Sequence, residues 1–112
     1  MKLNMIFNKY EFSEPFKITK WEPSESRGLY VILVPDLDVE GLPLRPIYFG
    51  QSENFAERGF LKSHHKHEDW IKEAREIDNL FIAIYPMPES TEEERQAIES
   101  KLINQYRPVC ND

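Results

Sequence analysis

The chain has 112 residues, of which 40% are hydrophobic, 12% aromatic and 30% charged, enough for one domain with an ordinary core and unlike a disordered tail. Fourteen Lys and Arg against twenty Asp and Glu leave a formal charge of −6, which argues against capture of nucleic acid or anionic membrane by a generally basic face. No apolar run approaches the roughly 18 residues of a spanning helix, so no membrane partner is expected; charged residues from Lys2 to Lys17 exclude a secretory signal there, and the lone Cys110 has no internal disulfide partner, which together fit a reducing cytoplasm.

Residues 1–24 mix Phe7, Tyr10, Phe12 and Phe16 with charge and end at Trp21-Glu22-Pro23, the pattern of short extended pieces in an N-terminal extension packed on or beside the core. From Gly28 the run Leu29-Tyr30-Val31-Ile32-Leu33-Val34 is aromatic and β-branched with apolar residues at both parities, which predicts a strand covered on both faces and ended by Pro35. The proline-rich, acidic stretch from Pro35 to Pro46 predicts a loop or an extended hairpin excursion. Ile47-Tyr48-Phe49 then resumes as a second strand closed by Gly50.

Ser52 followed by acids predicts a short helix through Phe55-Ala56-Glu57-Arg58 to Gly59. Trp70, Ile71, Ala74 and Ile77 stand at helical spacing between His67 and Ile77, and residues 79–85 read as a third strand stopped by Pro86. Ser90 and Thr91, each with a Glu three residues later, offer two overlapping capping boxes for a last helix to about Tyr106. The order β-β-α-α-β-α predicts a small α/β or α+β domain around a three-stranded sheet.

The last helix carries the clearest chemical signal. With about 100° per residue, Ile98, Leu102, Tyr106 and Ile103 fill a buried arc, and Glu99 falls inside it. A carboxylate facing a core needs a metal ion, an arginine or a proton. Arg95, four residues earlier on the same face, supplies the plainer reading of an i,i+4 ion pair. Tyr30 and Tyr48 read most simply as core residues whose hydroxyls each find one hydrogen bond, and Arg58 as a solvated surface group. His64, His65 and His67 are the only histidines; adjacent imidazoles without a nearby cysteine suit tetrahedral zinc poorly.

Taken in order, Gly28-Leu29-Tyr30, Tyr48-Phe49-Gly50, Arg58, Glu99 with Leu102-Ile103, and Pro108-x-x-Asn111 resemble the GIY-YIG nuclease family over roughly residues 27–112. The resemblance implies a stand-alone single-domain member with a three-stranded antiparallel sheet flanked by helices. It also implies an endonuclease that hydrolyses phosphodiesters, with DNA the expected substrate, using one Mg²⁺ or Mn²⁺. Glu99 would be the metal's sole protein ligand, Arg58 would bind the scissile phosphate, and Tyr48 with Tyr30 would position or deprotonate the attacking water. Lys62, His64 and Asn111 are expected as further contacts on the substrate side.

The chain departs from that pattern in three places. Seventeen residues separate Tyr30 from Tyr48, against about ten in the family, Gln51 stands where many relatives carry Lys, and Lys62 stands where His or Tyr is usual. Gly59 would let His64 or His65 swing into the last role, His65 being preferred. With these departures, the alternative is a catalytically degenerate module that binds a protein or nucleic-acid partner. Residues 89–99 contribute −4 of the −6 and residues 51–75 are balanced, so this domain alone should hold nucleic acid weakly, with affinity borrowed from metal, a protein partner or a homodimer.

Overall fold

The apolar run after Gly28 has no polar side because its strand lies in the middle of a sheet with a core cluster on each face. The structure, a computed structural model, describes residues 4–36, 43–57 and 63–111. Its strands in chain order are β1 Met5–Phe7, β2 Tyr10–Phe12, β3 Phe16–Lys17, β4 Gly28–Pro35, β5 Leu44–Ser52 and β6 Phe81–Pro86. Helix α1 spans His67–Ala74, a single 3-10 turn spans Ile77–Asn79, and α2 spans Glu92–Tyr106. The architecture is mixed α+β with antiparallel pairing throughout.

The main sheet has four strands in the order β3-β6-β4-β5, one more than the three expected. The extra strand is β3, only two residues long and preceded by Pro15, too short to show a period in the sequence. It pairs Phe16 with Ile82 and Lys17 with Phe81 along the outer edge of β6. A separate β1-β2 hairpin turns at Asn8, whose φ of 59° is left-handed backbone that Asn tolerates. Phe7, Tyr10 and Phe12 from this hairpin enter one core cluster with Leu29, Val31, Phe49 and Leu102, so α2 and the hairpin cover that face together. Tyr106 locks the arrangement by accepting a hydrogen bond from the Asn8 amide at 2.7 Å. The opposite face holds Tyr30, Ile32, Val34, Ile47, Phe55, Trp70 and Leu80 beneath α1.

Two predicted helices change. The short helix expected from Ser52 is absent among the described residues, because Ser52 ends β5 and residues 53–57 form turns. The Ser52 hydroxyl accepts from the Asn54 amide at 3.1 Å and the Asn54 side chain accepts from the Ala56 amide at 2.9 Å, local bonds that compete with helix formation. Its remainder, with Arg58 and Lys62, lies outside the described residues. Helix α1 ends at Ala74 rather than Ile77, since Arg75 turns left-handed at φ 75° and the Asn79 side-chain amide donates to the Ala74 carbonyl. Of the two capping boxes, Thr91–Glu94 forms, with both reciprocal bonds present.

Strand β5 also begins earlier than expected, at Leu44, and Asp36 donates its amide to Pro43 where the chain returns; residues 37–42 of the excursion lie outside the described residues. Pro46 is tolerated because β5 is an edge strand and the register slips there: Ile32 faces Tyr48 while Leu33 faces Pro46. The extra residue, Ile47, lets both Ile47 and Tyr48 pack toward the α1 side. Among the described residues no helix is long and apolar enough to cross a membrane.

Candidate functional site

The two tyrosines stand on neighbouring strands of the α1 face. Tyr30, on central β4, is buried, and its ring lies across Gly50, directly opposite on β5; a Cβ at Gly50 would collide with that ring. This contact gives the Tyr-x-Gly pattern a packing reason. Tyr48, half-buried on edge strand β5, sits 6.2 Å from Tyr30 between ring centroids, close enough for the two phenols to influence each other's ionisation. Gly28 is required by a different close approach, since a Cβ there would run into the Tyr85 carbonyl of β6.

His64, rather than His65, meets Tyr48, with its Nε2 3.2 Å from the phenol oxygen. Its Nδ1 accepts the Lys66 amide at 3.0 Å, so the neutral ring carries its proton on Nε2 and donates it to Tyr48. Burial, and after it the charges of His65, His67 and Lys66, push the His64 imidazole down to about 4, which keeps it neutral at physiological pH. His65 is exposed and stacks on His64 at 4.6 Å. Trp70 of α1 packs 4.7 Å from His64 and 5.3 Å from Tyr48. Its buried indole N–H has no acceptor among the described residues.

Glu99 projects from α2 within electrostatic reach of both phenols. Burial raises its carboxyl above the usual range, and no donor or cation among the described residues offsets that effect. Burial foremost, then the Tyr48 and Glu99 charges, drives Tyr30 far above its ordinary value; burial and then Glu99 raise Tyr48. Among the described residues the site is therefore a group of oxygen atoms with one uncompensated carboxylate.

Arg95 does not neutralise it. The Arg95 guanidinium is wholly buried and spends its donors elsewhere: Nε to Gln51 at 2.9 Å, Nη1 to the Ser90 hydroxyl at 3.0 Å and carbonyl at 3.2 Å, and Nη2 to Glu53 at 3.0 Å. The i,i+4 pair with Glu99 that the sequence suggested is thus replaced by a clamp joining α2 to the end of β5. Gln51, which departs from the family pattern, is a member of that clamp. Asn111 also has a framework role, accepting the Phe49 amide at 2.9 Å and donating to the Phe49 carbonyl at 3.0 Å. With Cys110 donating to the Ile47 carbonyl, it closes the outer edge of β5 beside Tyr48.

Of the expected site residues, Tyr30, Tyr48 and His64 come together with Glu99 within electrostatic reach of the tyrosines, His65 stacks outside them, Asn111 supports from behind, and Arg58 and Lys62 lie outside the described residues. Sequence reasoning read Trp70 as a helix-face residue, Gln51 as a departure from the family pattern and Ser90 as a cap, and did not foresee Trp70 against Tyr48 and His64 or Gln51 and Ser90 on Arg95, since these contacts arise from tertiary packing. A hard divalent ion fits this donor set better than zinc, because one carboxylate beside phenol oxygens suits an ion that keeps several waters, whereas both His64 nitrogens are engaged. Among the described residues no group of three or more His, Cys, Asp or Glu converges.

No family model, curated protein or solved structure matches this chain.

Proposed function

We propose that the protein is a divalent-metal-dependent phosphodiesterase of the GIY-YIG type, an endonuclease acting on nucleic acid, with DNA the expected substrate. The observation that carries this reading is the grouping of Tyr30, Tyr48 and a neutral His64 within electrostatic reach of a half-buried Glu99 carboxylate that nothing among the described residues neutralises, contributed by β4, β5, the loop before α1, and α2.

Glu99 would hold one Mg²⁺ or Mn²⁺, which when bound supplies Lewis-acid polarisation of the phosphate and its water ligands. The protein's own residues would divide the remaining work. Tyr48, as its phenolate, would orient the attacking water and accept its proton as the water oxygen bonds to phosphorus and the P–O bond to the leaving oxygen breaks, that oxygen taking a proton from solvent. His64 Nε2–H, already directed at the Tyr48 oxygen, favours the phenolate that this step requires, while burial and Glu99 oppose it until the Glu99 charge is neutralised. Tyr30 packs beside Tyr48, ring centroids 6.2 Å apart, and limits where the Tyr48 phenol can turn. Arg58 would neutralise the phosphate, a role that rests on its place in the motif.

Incubation of supercoiled plasmid with the protein and Mg²⁺ or Mn²⁺ should give nicking that EDTA stops and Glu99→Ala abolishes. Absence of nicking, or nicking that survives in Glu99→Ala, overturns the proposal.

The second reading, a binding module that has lost catalysis, is favoured by Gln51 and Asn111, whose side chains are committed to the framework rather than left for a phosphate. Metal titration separates the two. A thermal midpoint raised by Mn²⁺ in the wild type and not in Glu99→Ala supports the enzyme, whereas midpoints unchanged in both support the module.

A further inference from the structure

Taking the Tyr30–Tyr48 site as the phosphodiester site proposed above, we propose that a neighbouring cleft of about 330 Å³, lined by Phe16, Lys20, Trp21, Glu22 and Ile84 among others, receives one unpaired nucleobase of the substrate strand. The substrate class is then single-stranded or locally unpaired nucleic acid.

The sheet register places this cleft. Ile84 on β6 lies directly opposite Tyr30 on β4, which lies opposite Gly50 on β5. Residues opposite one another share a face, and neighbouring strands are about 5 Å apart, so Ile84 is one strand from Tyr30 and two from the strand bearing Tyr48. Phe16 on β3 lies opposite Ile82, which belongs to the same core cluster as Tyr30. Cleft and tyrosines therefore lie on the same side of the sheet.

The lining suits a base. Phe16 leaves 40% of its surface in solvent, on an edge strand of only two residues. Ile84 supplies an apolar wall, and Trp21, backed edge-to-face by Phe55 at 6.4 Å, supplies another aromatic surface. The Ser13 hydroxyl at the rim is already committed, donating to the Glu14 carbonyl and accepting the Ile84 amide. Polar recognition falls to Lys20, suited to a backbone phosphate, and Glu22, suited to a base N–H. Stacking on an aromatic face tolerates any base, and Lys20 is the cation of the lining that would meet the backbone.

The test uses the full chain in EDTA, so that no hydrolysis occurs, with a labelled eight-residue oligothymidylate and a blunt hairpin duplex as probes. The single strand should bind more tightly than the duplex and quench tryptophan fluorescence. Phe16→Ala should weaken single-strand binding roughly tenfold and leave duplex binding unchanged, Phe16→Tyr should restore it, and Trp21→Phe should remove the quench. Equal binding by wild type and Phe16→Ala, or a preference for the duplex, overturns the proposal. So does sedimentation showing that Phe16 drives self-association without oligonucleotide binding, which would assign the cleft to a second copy of the chain. Because binding is read without metal, failure of plasmid nicking removes the nuclease reading alone, and loss of Phe16 dependence removes the base cleft alone.

Discussion

Arg95 and Glu99 stand one turn apart on the same side of α2, yet their surroundings are opposite. The guanidinium is wholly buried, but its donors reach Gln51, Ser90 and Glu53, and the carboxylate it pairs with, Glu53, keeps its own side chain 69% exposed. Glu99 is less buried and has nothing among the described residues to offset its burial. The fully paired charge holds α2 against β5, and the charge left without a partner among the described residues lies within electrostatic reach of the tyrosines. Burial alone would have selected Arg95 as the anomaly; completeness of hydrogen bonding selects Glu99.

The contrast is broken most severely by Arg95→Ala. Removing the guanidinium strips partners from Ser90 and Gln51 and opens a cavity, and should cost about 3 kcal/mol in urea denaturation. A cost below about 1 kcal/mol would show that the clamp is not structural. Glu99→Gln should act in the other direction. A carboxyl raised by burial contributes stability below its ordinary value and loses it as pH rises through the raised one, so at pH 7 the charged form opposes folding. Solvent screening of a half-exposed group keeps the gain under about 1 kcal/mol, a rise of a few degrees at most in the thermal midpoint without metal. A lowered midpoint would mean that Glu99 has a stabilising partner.

His64 sharpens the comparison by the smallest effect. Its folded value near 4 lies below the ordinary 6.5, so the unfolded chain binds the extra proton first. Stability from this residue is present above about 6.5 and is lost as pH falls toward 4. His64→Asn should flatten that part of the stability profile. An unchanged acid limb between pH 6.5 and 4 would remove His64 from the buried site.

Much of the frame was legible in the chain itself. The both-parity apolar run at Leu29–Val34 announced a central strand, Trp70 and Ala74 announced one face of α1, and Thr91 with Glu94 announced the start of α2. Each is a local pattern whose period or cap reports its own surroundings. The edge strand β3 and the turns at 53–57 were not legible, because two residues carry no period and the Ser52 and Asn54 side chains compete locally with helix formation.

For the candidate site the division is similar. The sequence by itself determined that a carboxylate lies on the apolar side of the last helix and that two tyrosines flank glycines on paired strands, because helical and strand periodicity require no knowledge of neighbours. Tertiary structure alone decided which charge would be neutralised. Arg95 turned to Gln51, Ser90 and Glu53 rather than to Glu99, Asn111 closed the edge of β5, and His64 rather than His65 reached Tyr48. Hydrogen-bond partners distant in sequence compete for each donor, and the packing of α2 and α1 against the sheet sets which of them comes within reach.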